Sequence, residues 1–213
     1  MDTSHRRVLL ATAAILGVIG LAACSSSGPG SSPAPTSSAA PVWSAADVAS
    51  PDGEVVATGT VLDVSGDAQL CLGAVAESYP PQCSGIPLDG WTWEGVDGSE
   101  SSGETAWGSY AVHGMYDGER YAVTGAPILL ALYDPIRPDD QAGGVDGTTS
   151  AADLSRIQDD LTTTLGTDAL GLWTERGYVW VQVVWDDGSL QDAVDAAYGD
   201  DVVIVTSALR EID

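Results

Sequence analysis

Residues 107–124 read WGSYAVHGMYDGERYAVT, and this stretch decides the fold of the first half of the chain. Two runs of aromatic and β-branched residues flank the dipeptide Asp117-Gly118. This dipeptide favours a two-residue turn with positive φ between antiparallel strands. Residues 107–124 therefore predict a β-hairpin.

The register that follows from such a turn places Gly114 opposite Tyr121 and Val112 opposite Val123. Because side chains alternate along a strand, one face of the hairpin is then apolar, with an aromatic ring over the gap at Gly114. The other face carries His113 and is expected to face solvent.

Three more strand-forming stretches precede the hairpin, at residues 54–64, 69–75 and 86–93. Five short strands in one compact region predict a small β-barrel, and an OB-like barrel is the usual solution at this size. We assign this module to residues 52–125.

Residues 126–213 alternate helical and strand patterns and predict a separate α+β domain. The order of strand, helix, strand, strand, helix, strand is that of the ferredoxin-like, split βαβ fold. The predicted elements are a strand at 126–133, a helix through Leu154, Ile157, Leu161 and Leu165, strands at 170–173 and 178–185, a helix from Ser189 to Gly199, and a strand at 202–206.

The strand at 178–185 alternates so that its two faces differ. The helices are expected to cover one face, with Val179, Val181, Val183 and Trp185, and to leave the other, with Tyr178, Trp180, Gln182 and Val184. A half-apolar face does not stay bare. We expect it to pack on the barrel or to bind a partner or ligand, which makes Tyr178, Trp180 and Gln182 the candidate binding residues.

The amino terminus has the pattern of a bacterial lipoprotein signal. His5-Arg6-Arg7 is basic, residues 8–23 are uncharged, and this run is shorter than the ~20 residues of a membrane span. Leu21-Ala22-Ala23-Cys24 resembles a lipobox, which implies a signal peptide at 1–23 and a diacylglyceryl group on the Cys24 sulfur. The alternatives are an uncleaved signal anchor or a chance cysteine.

Residues 25–41 contain only Ser, Gly, Pro, Ala and Thr, a composition with nothing to bury. We therefore expect residues 24–51 to be a disordered tether. It would hold the folded part at the extracytoplasmic face of the cell membrane through acylated Cys24. The expected partners are membrane lipid and a membrane protein or cell-wall component.

The charge balance excludes one class of partner. The chain has 31 acidic residues and 7 basic ones, a net charge of −24. Nucleic acid needs cations to replace the counterions of its phosphates, so nucleic-acid binding is not expected.

Cys71 and Cys83 are the thiols left in an oxidising compartment, and a disulfide between them is the simplest interpretation. A bridge closing so short a loop would stabilise the fold by about 3 kcal/mol. The alternative is a redox pair, although such pairs usually lie only two residues apart.

The segments Cys71-Leu-Gly, Pro80-Pro81-Gln82-Cys83 and Gly90-Trp91-Thr92-Trp93 resemble a module of uncharacterised lipoproteins from high-GC Gram-positive bacteria. The resemblance covers only the first folded region. It implies the module and the disulfide, and it implies no activity.

Trp91, Trp93 and Trp107 have two interpretations. Aromatic rings can stack on sugars, but a chain without Phe must also fill its core with Trp and Tyr. The composition favours the second interpretation.

No catalytic, metal or cofactor pattern stands out. His113 is the one histidine after the signal peptide and has no evident partner, and G-x-S-x-G is absent. Asp134, Asp139, Asp140 and Asp146 lie in one loop and could bind calcium, but their spacing matches no EF-hand. The sequence favours a non-catalytic binding or accessory protein of the cell envelope; the alternative is a carboxylate-dependent hydrolase acting on an envelope component.

Overall fold

A computed structural model describes residues 43, 48–134 and 141–212. The predicted signal peptide, Cys24 and most of the predicted tether lie outside the described residues, and so do Asp139 and Asp140.

The described chain is mixed α+β, with eleven strands and two α-helices. The strands are β1 (Val55–Val64), β2 (Asp67–Cys71), β3 (Ile86–Asp89), β4 (Glu100–Ser102), β5 (Thr105–Tyr116), β6 (Tyr121–Val123), β7 (Ile128–Leu129), β8 (Ala169–Glu175), β9 (Tyr178–Val183), β10 (Val203–Ser207) and β11 (Leu209–Glu211). The helices are α1 (Ala151–Leu165) and α2 (Ser189–Tyr198).

Five strands close into a barrel in the order β1-β2-β3-β6-β5 and back to β1. All neighbours are antiparallel except β3 and β6, which are parallel. The predicted barrel is confirmed, and β4 and β7 extend it along β5.

Strand β1 pairs with three other strands, β2, β5 and β11. One edge pairs with β5 from Val55 to Val64, and the other edge is divided between β11 and β2. Gly59 lies where the second edge changes partner, and a Cβ there would be 2.5 Å from the carbonyl oxygen of Cys71. Position 59 therefore requires glycine, because β1 approaches a neighbouring strand too closely there to leave room for a Cβ.

The barrel core combines aliphatic residues with Tyr110 and Tyr121. The ring of Tyr121 covers Gly114, where a Cβ would collide with it, as predicted. Its hydroxyl donates to the backbone carbonyls of Val55 and Val112, at 2.8 and 2.7 Å. A buried phenol is therefore satisfied inside the barrel.

The predicted hairpin register is wrong by two residues. Gly114 lies opposite Val123, and Tyr116 lies opposite Tyr121. The carboxylate of Asp117 accepts hydrogen bonds from the backbone N–H groups of Glu119 and Arg120 and so holds a longer loop than two residues. A shift of two keeps every side chain on its predicted face.

The disulfide between Cys71 and Cys83 is confirmed, with Cα atoms 6.1 Å apart. Cys71 ends β2 and is buried beside Leu62 and Trp107. The bridge ties the loop before β3 to the barrel wall.

The second region is a three-stranded sheet, β10-β9-β8, with both helices on one face. Ser150 caps α1 by accepting a hydrogen bond from the N–H of Asp153. Helix α2 begins as predicted at Ser189, and the carboxylate of Asp186 accepts hydrogen bonds from the N–H groups of Leu190 and Gln191 in its first turn. Both helices and the strands β8, β9 and β10 agree with the sequence pattern.

The ferredoxin-like arrangement is not confirmed. The strand expected at 126–133 is only β7, which pairs with β5 of the barrel, and it is followed by a 3-10 turn at Leu130–Leu132. Among the described residues this leaves a three-stranded sheet in which β10 is parallel to β9. The unpredicted strand β11 pairs with β1 and buries Leu209 in the barrel core.

Candidate functional site

The three predicted binding residues line one cleft of about 1040 Å³ on the second region. Val179, Val181 and Val183 face the helices and are fully buried. Tyr178, Trp180 and Gln182 alternate with them and line the cleft on the face away from the helices. Alternation along β9 thus brings the three together.

An apolar row crosses this open face. Trp180 lies between Trp173 of β8 and Ile204 of β10 in the sheet register. The rings of Trp173 and Trp180 are stacked, with centroids 6.1 Å apart and planes at 7°. This geometry is one of the favoured aromatic arrangements and holds Trp180 in a fixed orientation.

The three side chains differ in whether their polar atoms are hydrogen-bonded. Trp180 donates its indole N–H to the carbonyl of Glu175, and Tyr178 donates its hydroxyl to that of Val145. The half-buried amide of Gln182, in contrast, makes no hydrogen bond within the part of the chain that the structure describes. Its donor and acceptor are therefore available to a ligand.

Strand β10 forms one wall of the cleft, and all five of its residues line it. The amide of Gln191 on α2 reaches this strand: it donates to the carbonyl of Val203 and accepts from the N–H of Val205, at 3.0 and 2.9 Å. Gln191 was not predicted from the sequence. Helical spacing predicts a hydrogen bond from Gln191 to Asp195, four residues on, but no local pattern predicts its contact with Val203, twelve residues away.

The rim of the cleft is acidic. Its charged lining residues are Asp186, Asp195, Asp200, Asp201 and Arg210. Four carboxylates against one guanidinium disfavour an anionic ligand.

Trp185 does not occupy its predicted face toward the helices, whereas Val184 packs on the barrel as expected. Strand β9 ends at Val183, and the carbonyl of Val184 accepts from the N–H of Leu209. Both side chains pack against the barrel core, and the indole of Trp185 donates to the carbonyl of Ala49. The expected packing of the open face on the barrel therefore holds only at its Val184 end.

The three tryptophans of the first region pack rather than form a platform. Trp91 and Trp93 meet edge to face at 5.1 Å beside Tyr110, and the indole of Trp93 donates to Asp63. Trp107 is 9% exposed and packs beside the disulfide. Their role as core residues is supported.

The carboxylates whose pKa departs from the ordinary value are surface groups with structural partners. The guanidinium of Arg120 lowers the pKa of Asp89, and hydrogen bonds from Arg120 and Glu119 backbone groups lower that of Asp117. Hydrogen bonds from Ser189 and Ala49 lower the pKa of Asp187. A lowered pKa suits a fixed acceptor rather than a general acid.

The predicted calcium loop is described only in part. Asp146 forms an ion pair with Arg176, at 2.8 Å. Within residues 43, 48–134 and 141–212, no three His, Cys, Asp or Glu side chains are placed to hold a metal ion. His113 is half-buried on the hairpin, and its carbonyl accepts from Thr124.

In the described part of the chain, neither helix has the length and apolar character needed to cross a membrane.

Comparison of the chain with protein-family models, curated proteins and solved structures found no match. The resemblance to lipoprotein modules thus stays a prediction.

Proposed function

We propose that this protein is a lipid-anchored binding or accessory protein on the extracytoplasmic face of the cell membrane. Its binding surface is the face of the sheet around Trp180 and Gln182, and Tyr178, which is only 6% exposed, lies at the buried end of this face. The lipobox-like sequence before Cys24 supports the anchor, and the cleft supports the binding role.

The observation that carries this proposal is the composition of the cleft. A concave site with a fixed aromatic ring and a few unsatisfied polar groups is the usual form of a binding site. Trp180 supplies the ring and Gln182 the unsatisfied amide. The pKa values of Asp89, Asp117 and Asp187 are lowered by hydrogen bonds from neighbouring groups, so these three carboxylates give no support to the general acid that the hydrolase alternative needs.

We also infer that the barrel is OB-like. Its strand order, with a single parallel pair and a first strand shared between neighbours, supports a Greek-key barrel of this type. Its acidic surroundings support a use other than oligonucleotide binding.

Crosslinking on intact cells, followed by capture and mass spectrometry, tests the binding role. We expect a crosslinked envelope component with the native protein, and its loss with Trp180→Ala. Tyr79→Ala is the matched control, since Tyr79 is an aromatic residue 72% exposed in the disulfide loop of the barrel. Equal recovery from the Trp180 variant and the control would contradict the proposed surface.

Fractionation of Cys24→Ala cells tests the anchor separately. Without the sulfur that accepts the lipid, the protein should leave the membrane fraction or accumulate as a heavier, unprocessed precursor. Unchanged partitioning and unchanged mass would contradict the lipoprotein assignment.

A further inference from the structure

The free edge of β10 is the most informative part of the cleft. Val202 accepts a hydrogen bond from Val179 of β9, so the even-numbered residues of this strand turn their backbone groups toward β9. Val203 and Val205 therefore turn theirs outward. Among the described residues, no other strand pairs with this edge.

The amide of Gln191 occupies part of this edge in the way a strand would. A residue of a neighbouring parallel strand directs its N–H and its C=O toward the same edge, and the Gln191 amide offers the same pair to Val203 and Val205. The side chain thus takes the place of one residue of an added strand, and within residues 43, 48–134 and 141–212 no strand pairs with the other outward groups of β10.

The cleft extends along both sides of this edge. Trp180 and Gln182 line it from the open face of the sheet, and Gln191 and Asp195 line it from α2. A strand added here would direct alternate side chains toward these two walls. Edge pairing with alternating side-chain pockets is the recognised form of β-strand addition.

We propose that the cleft binds an extended polypeptide segment of a partner protein, which pairs with β10 as a fourth strand and displaces the Gln191 amide. We expect that segment to carry basic side chains, because four aspartates and one arginine line the cleft. This inference rests on the proposed function and names its partner class.

The sheet contains its own control at the opposite edge. Gln158 on α1 donates to the carbonyl of Leu172 on β8, in a single hydrogen bond at 3.2 Å. Gln158 is also a half-buried helical glutamine, but β8 does not line the cleft. Gln158→Ala therefore removes the same kind of side chain as Gln191→Ala, but at the opposite edge of the sheet and away from the cleft.

A displayed library of random octapeptides, selected on the full-length protein in detergent micelles, tests the proposal. We expect the enriched peptides to carry Lys or Arg and to protect the amides of Val203 and Val205 from hydrogen exchange. Peptides N-methylated at alternate residues should lose binding, because they cannot complete the backbone pairing. Gln191→Ala should tighten binding by about 5- to 100-fold, the range of two net hydrogen bonds, because the displaced amide makes two to β10; Gln158→Ala should leave it unchanged.

Three results would overturn the proposal. They are failure to enrich any peptide, enriched peptides that leave exchange at Val203 and Val205 unchanged, and self-association of the Gln191→Ala protein through β10 in place of peptide binding. If Trp180→Ala still removes the crosslinked component in cells while no peptide is enriched, the proposed function stands and the strand-addition inference fails.

Discussion

The two hydrophobic cores of this protein are built from different chemistry. Under the helices every fully buried residue of the core is Leu, Ile or Val. The barrel core instead includes Tyr110 and Tyr121, with Trp91 and Trp93 packed at its margin. A chain without Phe has brought amphipathic rings into the barrel, and each ring introduces a polar atom. Those of Tyr110, Tyr121 and Trp93 are hydrogen-bonded, whereas the buried indole N–H of Trp91 has no partner among the described residues.

The difference determines what specifies each core. Aliphatic side chains pack by shape and volume, so the helical core depends on filling space. The barrel depends as well on directed hydrogen bonds, from Tyr110 to Asp97 and from Tyr121 to Val55 and Val112. Mutations should therefore affect the two regions by different mechanisms.

The largest effect should come from truncating the aliphatic core. Leu161 is 2% exposed, and Leu161→Ala should lower the free energy of unfolding by about 2–5 kcal/mol through lost transfer energy and a cavity. Denaturant titration measures the loss. Because Trp185 and Leu209 pack into the barrel core, we expect barrel amides to lose hydrogen-exchange protection as well. Unchanged protection in the barrel would show that the two cores unfold independently.

Removing the disulfide tests a constraint that only the barrel has. The double variant Cys71→Ser, Cys83→Ser should lose about 3 kcal/mol, because the unfolded chain gains the freedom of the opened loop. Thermal unfolding with and without reductant compares it with the native protein. Quantitative thiol labelling of the unreduced native protein would contradict the disulfide itself.

Deleting one hydroxyl separates shape from hydrogen bonding in the barrel. Tyr121→Phe keeps the ring over Gly114 but leaves two buried carbonyls without their donor, which should cost about 1–2 kcal/mol. Tyr116→Phe is the control, since its hydroxyl donates to Gly118 at the surface. Equal unfolding midpoints for the two variants would show that the barrel is specified by packing alone.

The smallest expected effect is in the alkaline titration of Tyr198, which packs against the helical core. Burial, and next the hydrogen bond to Asp160, raise the pKa of Tyr198 on α2 to about 12. The unfolded phenol titrates near ~10, so the folded state holds the proton longer and this stabilisation is lost as pH rises through about 12. Ultraviolet difference spectra of Tyr198→Phe against the native protein should show one phenol fewer ionising near that pH. A difference that titrates at the ordinary tyrosine value would contradict the buried contact.

The sequence predicted what is encoded locally. The spacing of Leu154, Ile157, Leu161 and Leu165 places one face of α1 on the sheet, and alternation along β9 places Tyr178, Trp180 and Gln182 together. Both patterns depend only on the period of the backbone.

The features that were missed depend on distant parts of the chain. The hairpin register changed because the carboxylate of Asp117 binds the turn, which the Asp-Gly dipeptide alone does not show. Strand β11 has only three residues and forms by pairing with the edge of β1. Gln191 reaches the backbone of β10 only because α2 lies beside that strand. Such contacts follow from the assembled fold and leave little trace in composition or periodicity.

The pairing of β1 with β11 also has a consequence for how the protein is made. Val55, Val56 and Ala57 pair with Glu211, Arg210 and Leu209, respectively, so this early strand waits for one that is synthesised much later. Until then this edge of β1 presents unpaired amides and can join other chains. Protection of this edge therefore comes only after residues 209–211 have been synthesised, and a nascent chain that stops before Leu209 is most open to aggregation at β1.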